Sequence, residues 1–127
     1  MTRTAQIILS PATIYALSVT RQIALPAPPT GFINNILAVS HGMTFATGAY
    51  TGATKLIYES KSGVNIFEDS VMLPAVADAQ AATLKSQATQ GIFGTTEALY
   101  VTADGVGADG DSTINGFITY EQVQIGA

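Results

Sequence analysis

The chain has 127 residues, 47% hydrophobic and only 11% charged, with five basic and nine acidic side chains and a net charge of −4. That length, with apolar residues spread along all of it, predicts one domain over residues 1–127 and excludes wholesale disorder. The absence of Cys and the single His41 exclude disulfide scaffolds, thiol nucleophiles and cysteine-based metal sites, and the scattered Arg3, Arg21, Lys55, Lys61 and Lys85 offer nucleic acid no basic patch.

Ordinary soluble domains carry about 25% charged residues, more than twice the proportion here. Two readings fit: a surface meant for burial against other subunits, or a monomer with a neutral polar exterior. No stretch reaches the roughly 18–20 apolar residues of a bilayer span, so no membrane partner is expected. The run Ala5 to Leu9, broken by Ser10-Pro11, is too short for a signal-peptide core, and export by that route is not expected.

In chain order, Tyr15, Leu17 and Val19 alternate with Ala16, Ser18 and Thr20, which predicts a half-buried strand. Ile23 to Leu25 is a short partner ended by Pro26. The segment Leu25-Pro-Ala-Pro-Pro-Thr-Gly31 lacks backbone donors at Pro26, Pro28 and Pro29, so it predicts an extended solvent-side connection. Phe32 to Ser40 is dense enough in apolar residues for a strand buried on both faces. Gly48 to Gly52 predicts a loop, Thr54 to Glu59 a strand, and Ser60 to Gly63 the turn of a meander. Val64 to Phe67 and Val71 to Leu73 form either two short strands or one kinked edge. Ala75 to Ala88, rich in Ala, Gln, Leu and Lys after Pro74, predicts the one helix, although its thin apolar face also fits an irregular excursion.

Toward the carboxyl end, Leu99, Val101 and Ala103 alternate, as do Ile114, Ile118 and Tyr120. This pattern predicts two strands facing each other across the loop Asp104 to Ser112, with Gly116 marking a bulge or a close approach. The sum is an all-β fold: a jelly-roll-like antiparallel β-sandwich of about 7–8 strands with at most one short helix.

Chemistry-bearing patterns are sparse. Gly105, Gly107 and Gly110 satisfy GxGxxG, but a strand rather than a helix follows, so the dinucleotide reading fails. Asp104, Asp109 and Asp111 share one loop without the spacing of a calcium loop, and no metal is expected there. His41 beside Gly42 lacks a nucleophile signature and predicts a surface or interface residue rather than a general base. Nothing in the spacing of Glu59, Glu68, Asp69, Asp78, Glu97 and Glu121 selects a catalytic pair. Tyr50 and Phe93, in predicted loops and without any Trp, offer a glycan only a weak stacking platform. No catalytic residue and no cofactor is expected, and the chain does not read as an enzyme.

The Pro/Gly connection LPAPPTGFINNILAVS, the strand TKLIYES and the terminal segment ALYVTADGVGADGDSTINGFITYEQV together resemble small tailed-phage proteins that decorate or cement the capsid. The resemblance rests on the turn Asp109-Gly-Asp-Ser-Thr113 and the closing strand Phe117-Ile-Thr-Tyr-Glu-Gln-Val123. It implies a jelly-roll-like homodimer or homotrimer, made in the host bacterial cytoplasm, that sits on the outer surface of the virion head and bridges subunits of the major capsid protein. It makes Thr2, Arg3, Thr4, Pro26, Pro28, Pro29, Asp104, Asp109 and Asp111 candidate lattice contacts. The alternative from another class is a receptor- or glycan-binding module of a tail or fibre.

Overall fold

In the computed structural model, which describes residues 2–81, 85–86 and 93–126, the chain forms β1 (Thr2–Leu9), α1 (Pro11–Ala16), β2 (Gln22–Leu25), β3 (Phe32–Met43), β4 (Leu56–Glu59), β5 (Asn65–Asp69), β6 (Ala79–Ala81), β7 (Lys85–Ser86), β8 (Phe93–Thr95), β9 (Leu99–Ala103) and β10 (Ile114–Gln124). Sheet A has the order β1-β10-β3-β6, with β8 also on β3; sheet B has the order β2-β9-β4-β5-β7. Every pairing is antiparallel.

The pairing is nested. β1 pairs with β10, β2 with β9, β3 with β8, and β4 with β5, the first and third pairs in sheet A and the other two in sheet B. A long antiparallel hairpin rolled so that successive pairs fall on alternate sheets is a jelly roll, and the expected all-β sandwich is the fold observed. The core between the sheets is built from inward positions: Ile36, then beyond a register shift Val39 and Met43 on β3, and at period two Leu56 and Tyr58 on β4, Leu99 and Val101 on β9, and Ile114 and Ile118 on β10.

The predicted connection from Pro26, the Ser60 to Gly63 turn and the strands around Ile36, Ile57, Ile66, Val101 and Ile118 are found. Gly63 takes the left-handed conformation (φ 90°) that the β4–β5 turn requires. Val71–Leu73 forms no strand, because the Asp69 carboxylate accepts the Val71 and Met72 amides (2.7 and 3.4 Å) and turns the chain there.

Three expectations are corrected. The predicted strand at Tyr15–Thr20 is the end of α1 and a turn. Ser10 caps the helix by accepting from the Thr13 amide, Pro11 occupies the first turn, and the buried pair is Ile14 and Leu17, spaced by three, with Val19 81% exposed. The predicted helix at Ala75–Ala88 is absent from the described part of that segment: Ala79–Ala81 pairs with β3 and Lys85–Ser86 with β5, while residues 82–84 and 87–88 lie outside the described residues. Local helix propensity, weak without an apolar stripe, yields to unpaired neighbouring strands. Finally, the predicted terminal hairpin is split, with β9 in sheet B and β10 in sheet A. The loop between them crosses from one sheet to the other.

Candidate functional site

That crossing loop is tied down by its carboxylates. Asp104 accepts from the Thr54 and Lys55 amides (2.8 and 3.0 Å) and the Thr54 hydroxyl (2.8 Å). Asp111 accepts from the Thr47 and Gly48 amides (3.0 and 2.9 Å) and from the Thr47 hydroxyl, and Asp109 from the Thr51 hydroxyl (2.6 Å). Thr51 and Ala108 exchange two backbone hydrogen bonds of 2.9 Å. The Thr47 hydroxyl, then the Gly48 and Thr47 amides, hold Asp111 below the usual carboxylate range. At Asp104 burial, the largest single effect, acts upward, but the Lys55 amide and the Thr54 groups together outweigh it and hold the carboxyl low. The three aspartates thus splice the β9–β10 loop to the β3–β4 loop. Among the described residues no three His, Cys, Asp or Glu side chains are placed to hold a metal ion.

Tyr50 anchors the same corner from inside. It is 5% exposed, meets Tyr15 edge-on (6.1 Å between centroids, 71°), and its hydroxyl donates to the Ser112 carbonyl. Burial, then Tyr15 and Asp111, push that hydroxyl up to about 12. Gly110 lies flat against the ring, where a Cβ would stand 2.2 Å from Cδ1. Tyr50 is therefore core rather than a stacking platform for a glycan. Phe93 lies on β8, its side chain outside the described residues.

His41 is likewise not on the surface. It sits within β3, facing sheet B, with its imidazole fully buried. Nδ1 lies 2.6 Å from the Asp69 carboxylate on β5 and Nε2 lies 2.6 Å from the Tyr58 hydroxyl on β4. Burial alone would raise Asp69, but the His41, Val71 and Met72 hydrogen bonds outweigh it and hold the carboxyl low. Burial, then the Asp69 charge, push the Tyr58 hydroxyl far above its ordinary value. An ionised Asp69 accepts from Nδ1–H, which leaves Nε2 to accept from Tyr58. Both ring nitrogens are engaged and no solvent reaches the ring, so the triad ties sheet to sheet rather than presenting a base to a substrate.

The two outer faces differ in charge. Sheet B carries ion pairs: Arg21 to Glu59 (2.6 Å), with the Arg21 guanidinium 3.9 Å from the Tyr100 ring centroid, and Lys55 to Glu68 (3.2 Å). Across the middle of sheet A, the outward rows are Thr4, Gln6 and Ile8 on β1, Asn115, Phe117 and Thr119 on β10, and Ala38, Ser40 and Gly42 on β3. None is charged. A groove of about 610 Å³ crosses this face between Gln6, Phe117, Asn115 and Gln80, rimmed by Asp78.

The candidate contacts fall at opposite ends. Thr2, Arg3 and Thr4 are exposed on β1, beside Glu121, Tyr120 and Thr119. Pro26 and Pro29 are exposed and Pro28 half-buried at the same end of the sandwich, where the Ile125 and Gly126 amides donate to Gly31. Asp104, Asp109 and Asp111 occupy the other end, separated by the length of β10, about 35 Å at the rise of an extended strand. Sequence reasoning missed the cross-sheet triad and the uncharged face. The face had a signal in the outward alternation Asn115, Phe117, Thr119; the triad had none.

No family model and no curated protein matches the chain. Among solved structures, a chain of the acidic stable capsid structure of Helicobacter pylori bacteriophage KHP30 aligns at 12% identity with a TM-score of 0.56, over 98% of this chain and 94% of that one. A chain of the cyanophage Pam1 capsid asymmetric unit aligns at 14% identity and a TM-score of 0.49, over 94% and 82%. A chain of Bacillus endospore appendages, described as disulfide-linked pili, gives 15%, 0.37, 98% and 88%. Of these three, the KHP30 chain alone reaches the similarity of a shared fold. The protein has the same jelly-roll architecture as that capsid-structure chain, over nearly the whole length of both.

Proposed function

We propose that the protein is a structural component of a tailed-phage virion, which decorates the outer surface of the head and cements it by bridging subunits of the major capsid protein. The uncharged middle of the outer face of sheet A carries this reading. Burying it against a neighbour desolvates no ion, so shape and apolar contact at Phe117 and Ile8 are not spent against an electrostatic penalty. The shared architecture with a chain of the KHP30 capsid structure supports the virion setting. Exposed segments at both ends of the sandwich, around Thr2–Thr4 with Pro26 and Pro29, and around Val106, suit contact with two neighbours at once.

On this reading the protein acts by binding, as a homodimer or homotrimer, and carries no catalysis. A tail or fibre module that binds a glycan has less support, because Tyr50 is packed in the core. Imaging of virions, with thermal release of DNA from heads that lack the protein, tests the proposal. Heads without it are expected to assemble and to burst at lower temperature, and purified protein to restore them; protein found only at the tail tip overturns the reading.

A further inference from the structure

The two sheets present four edges, and among the described residues three are blunted. β2 has four residues, an irregular register between Ile23 and Leu25, and Pro26 at its end. β7 has two residues, and β6 and β8 have three each. Short, irregular or proline-ended edges are the usual protection against pairing with another chain. β1 has none of it. Its eight residues run in unbroken register with β10, without Pro, Lys or bulge, and Arg3 is its one charge. Its far side is unpaired among the described residues, and Ile8 is 63% exposed.

We infer that the β1 edge is a docking strand for β1 of a second copy, paired antiparallel about a two-fold axis at Ala5. Residues opposite each other in a continued sheet must share a face, so the numbers of each opposed pair sum to an even value. With Ala5 against its own copy, Thr2 lies against Ile8, Arg3 against Ile7, and Thr4 against Gln6. No like charges are opposed, and the exposed Ile8 gains a methyl-bearing neighbour. An axis at Arg3 would oppose the two guanidinium groups. An axis at Gln6 would set Arg3 against buried Leu9, where α1 begins two residues later. Seven residues of edge are thereby satisfied by an identical seven, the isologous arrangement of a two-fold dimer. The two A sheets then run on as one, and the uncharged middles of their outer faces lie side by side.

The inference rests on the proposed self-association and specifies its surface. The test uses the purified full chain without capsids, in sedimentation equilibrium. The wild type is expected to be a dimer at micromolar concentration. Thr4→Lys with Gln6→Lys places lysines opposite each other and should weaken the dimer about tenfold or more, with the near-ultraviolet circular dichroism unchanged, since both side chains are exposed. Thr4→Glu with Gln6→Lys should restore it. On oxidation, a mixture of Thr4→Cys and Gln6→Cys chains should cross-link across the two variants in preference to within either. A dimer indifferent to these changes overturns the strand pairing alone; a wild-type monomer at high concentration overturns self-association as well.

Discussion

Tyr58 and His41 stand on opposite sheets and meet, hydroxyl to imidazole, at 2.6 Å beneath Gly116. The contact closes the chain Tyr58–His41–Asp69, so one polar line crosses a core made mainly of apolar side chains. Tyr58→Phe leaves Nε2 buried without a donor, a loss of about 1–3 kcal/mol. That corresponds to a fall in melting temperature of about 3–6 °C for each kcal/mol at this chain length. His41→Ala, which strands the Asp69 carboxylate, should cost more, about 3–5 kcal/mol. Equal melting of wild type and Tyr58→Phe would remove the triad from the account of stability.

Gly116 provides the room for that line. A Cβ there would lie 2.8 Å from both Ile7 Cγ2 and the Tyr58 hydroxyl, and 3.2 Å from His41 Cδ2. Gly116→Ala should therefore destabilise by about 1–3 kcal/mol through overpacking. Gly42→Ala is the control: it lies on the adjacent strand, opposite Asn115, with nothing within 4 Å of its added Cβ. It should be neutral or slightly stabilising. Urea midpoints of the two variants decide the matter.

Asp69, Asp104 and Asp111 all titrate below the ordinary carboxylate range in the folded chain. As the pH falls, the unfolded chain takes up their protons first. Their stabilisation is present above an unfolded value of about 3.9 and is lost as pH falls through the lower folded values. Stability measured by urea should thus decline on acidification below about pH 4, and Asp69→Asn should flatten that decline. A variant with the same acid limb as wild type would exclude Asp69 as a contributor.

Asp104, Asp109 and Asp111 are engaged by amides and hydroxyls of the β3–β4 loop, so chelation with EDTA should leave the melting temperature unchanged. Asp104→Ala should lower it instead, by freeing the Thr54 and Lys55 amides. A melting temperature that drops with chelator and returns with calcium would show that the loop binds a cation.

Strands with a strict inward alternation were legible from the sequence. Leu99, Val101 and Ala103 alternate, as do Ile114 and Ile118, because one face of each strand is core. The Pro26 to Pro29 connection was legible because proline fixes its own backbone and lacks a donor, and Gly63 because glycine enters the left-handed region that its turn needs. Residues 15–20 were misread because a short apolar series fits period two and spacing three alike. Ala79–Ala81 follows the needs of β3, which no local propensity expresses. Which strands pair is a non-local matter, and it separated β9 from β10. The triad joins residues 17 and 28 positions apart through that same pairing, so no spacing announced it.

If sheet A is the face that meets the capsid, substitutions on the two outer faces should separate. Phe117→Lys and Ser40→Lys introduce a charge into the uncharged middle of that face beside the groove, at positions exposed or half-buried in the free protein, and should leave the folding stability within about 0.5 kcal/mol of wild type. Each would have to be desolvated on docking, so binding to heads should weaken by at least tenfold, the equivalent of about 1.4 kcal/mol. Ile57→Lys, on the half-buried outer face of sheet B, where Lys55 and Glu68 already stand, should bind like wild type. Because the middle of the wild-type face brings no ions to the interface, raising the salt from low to molar concentration should change wild-type binding little. Binding to purified heads, measured by co-sedimentation across a salt series, reads all of these. Strong salt dependence of the wild type, or loss of binding from the sheet B variant with the sheet A variants intact, would place the contact on the charged face instead.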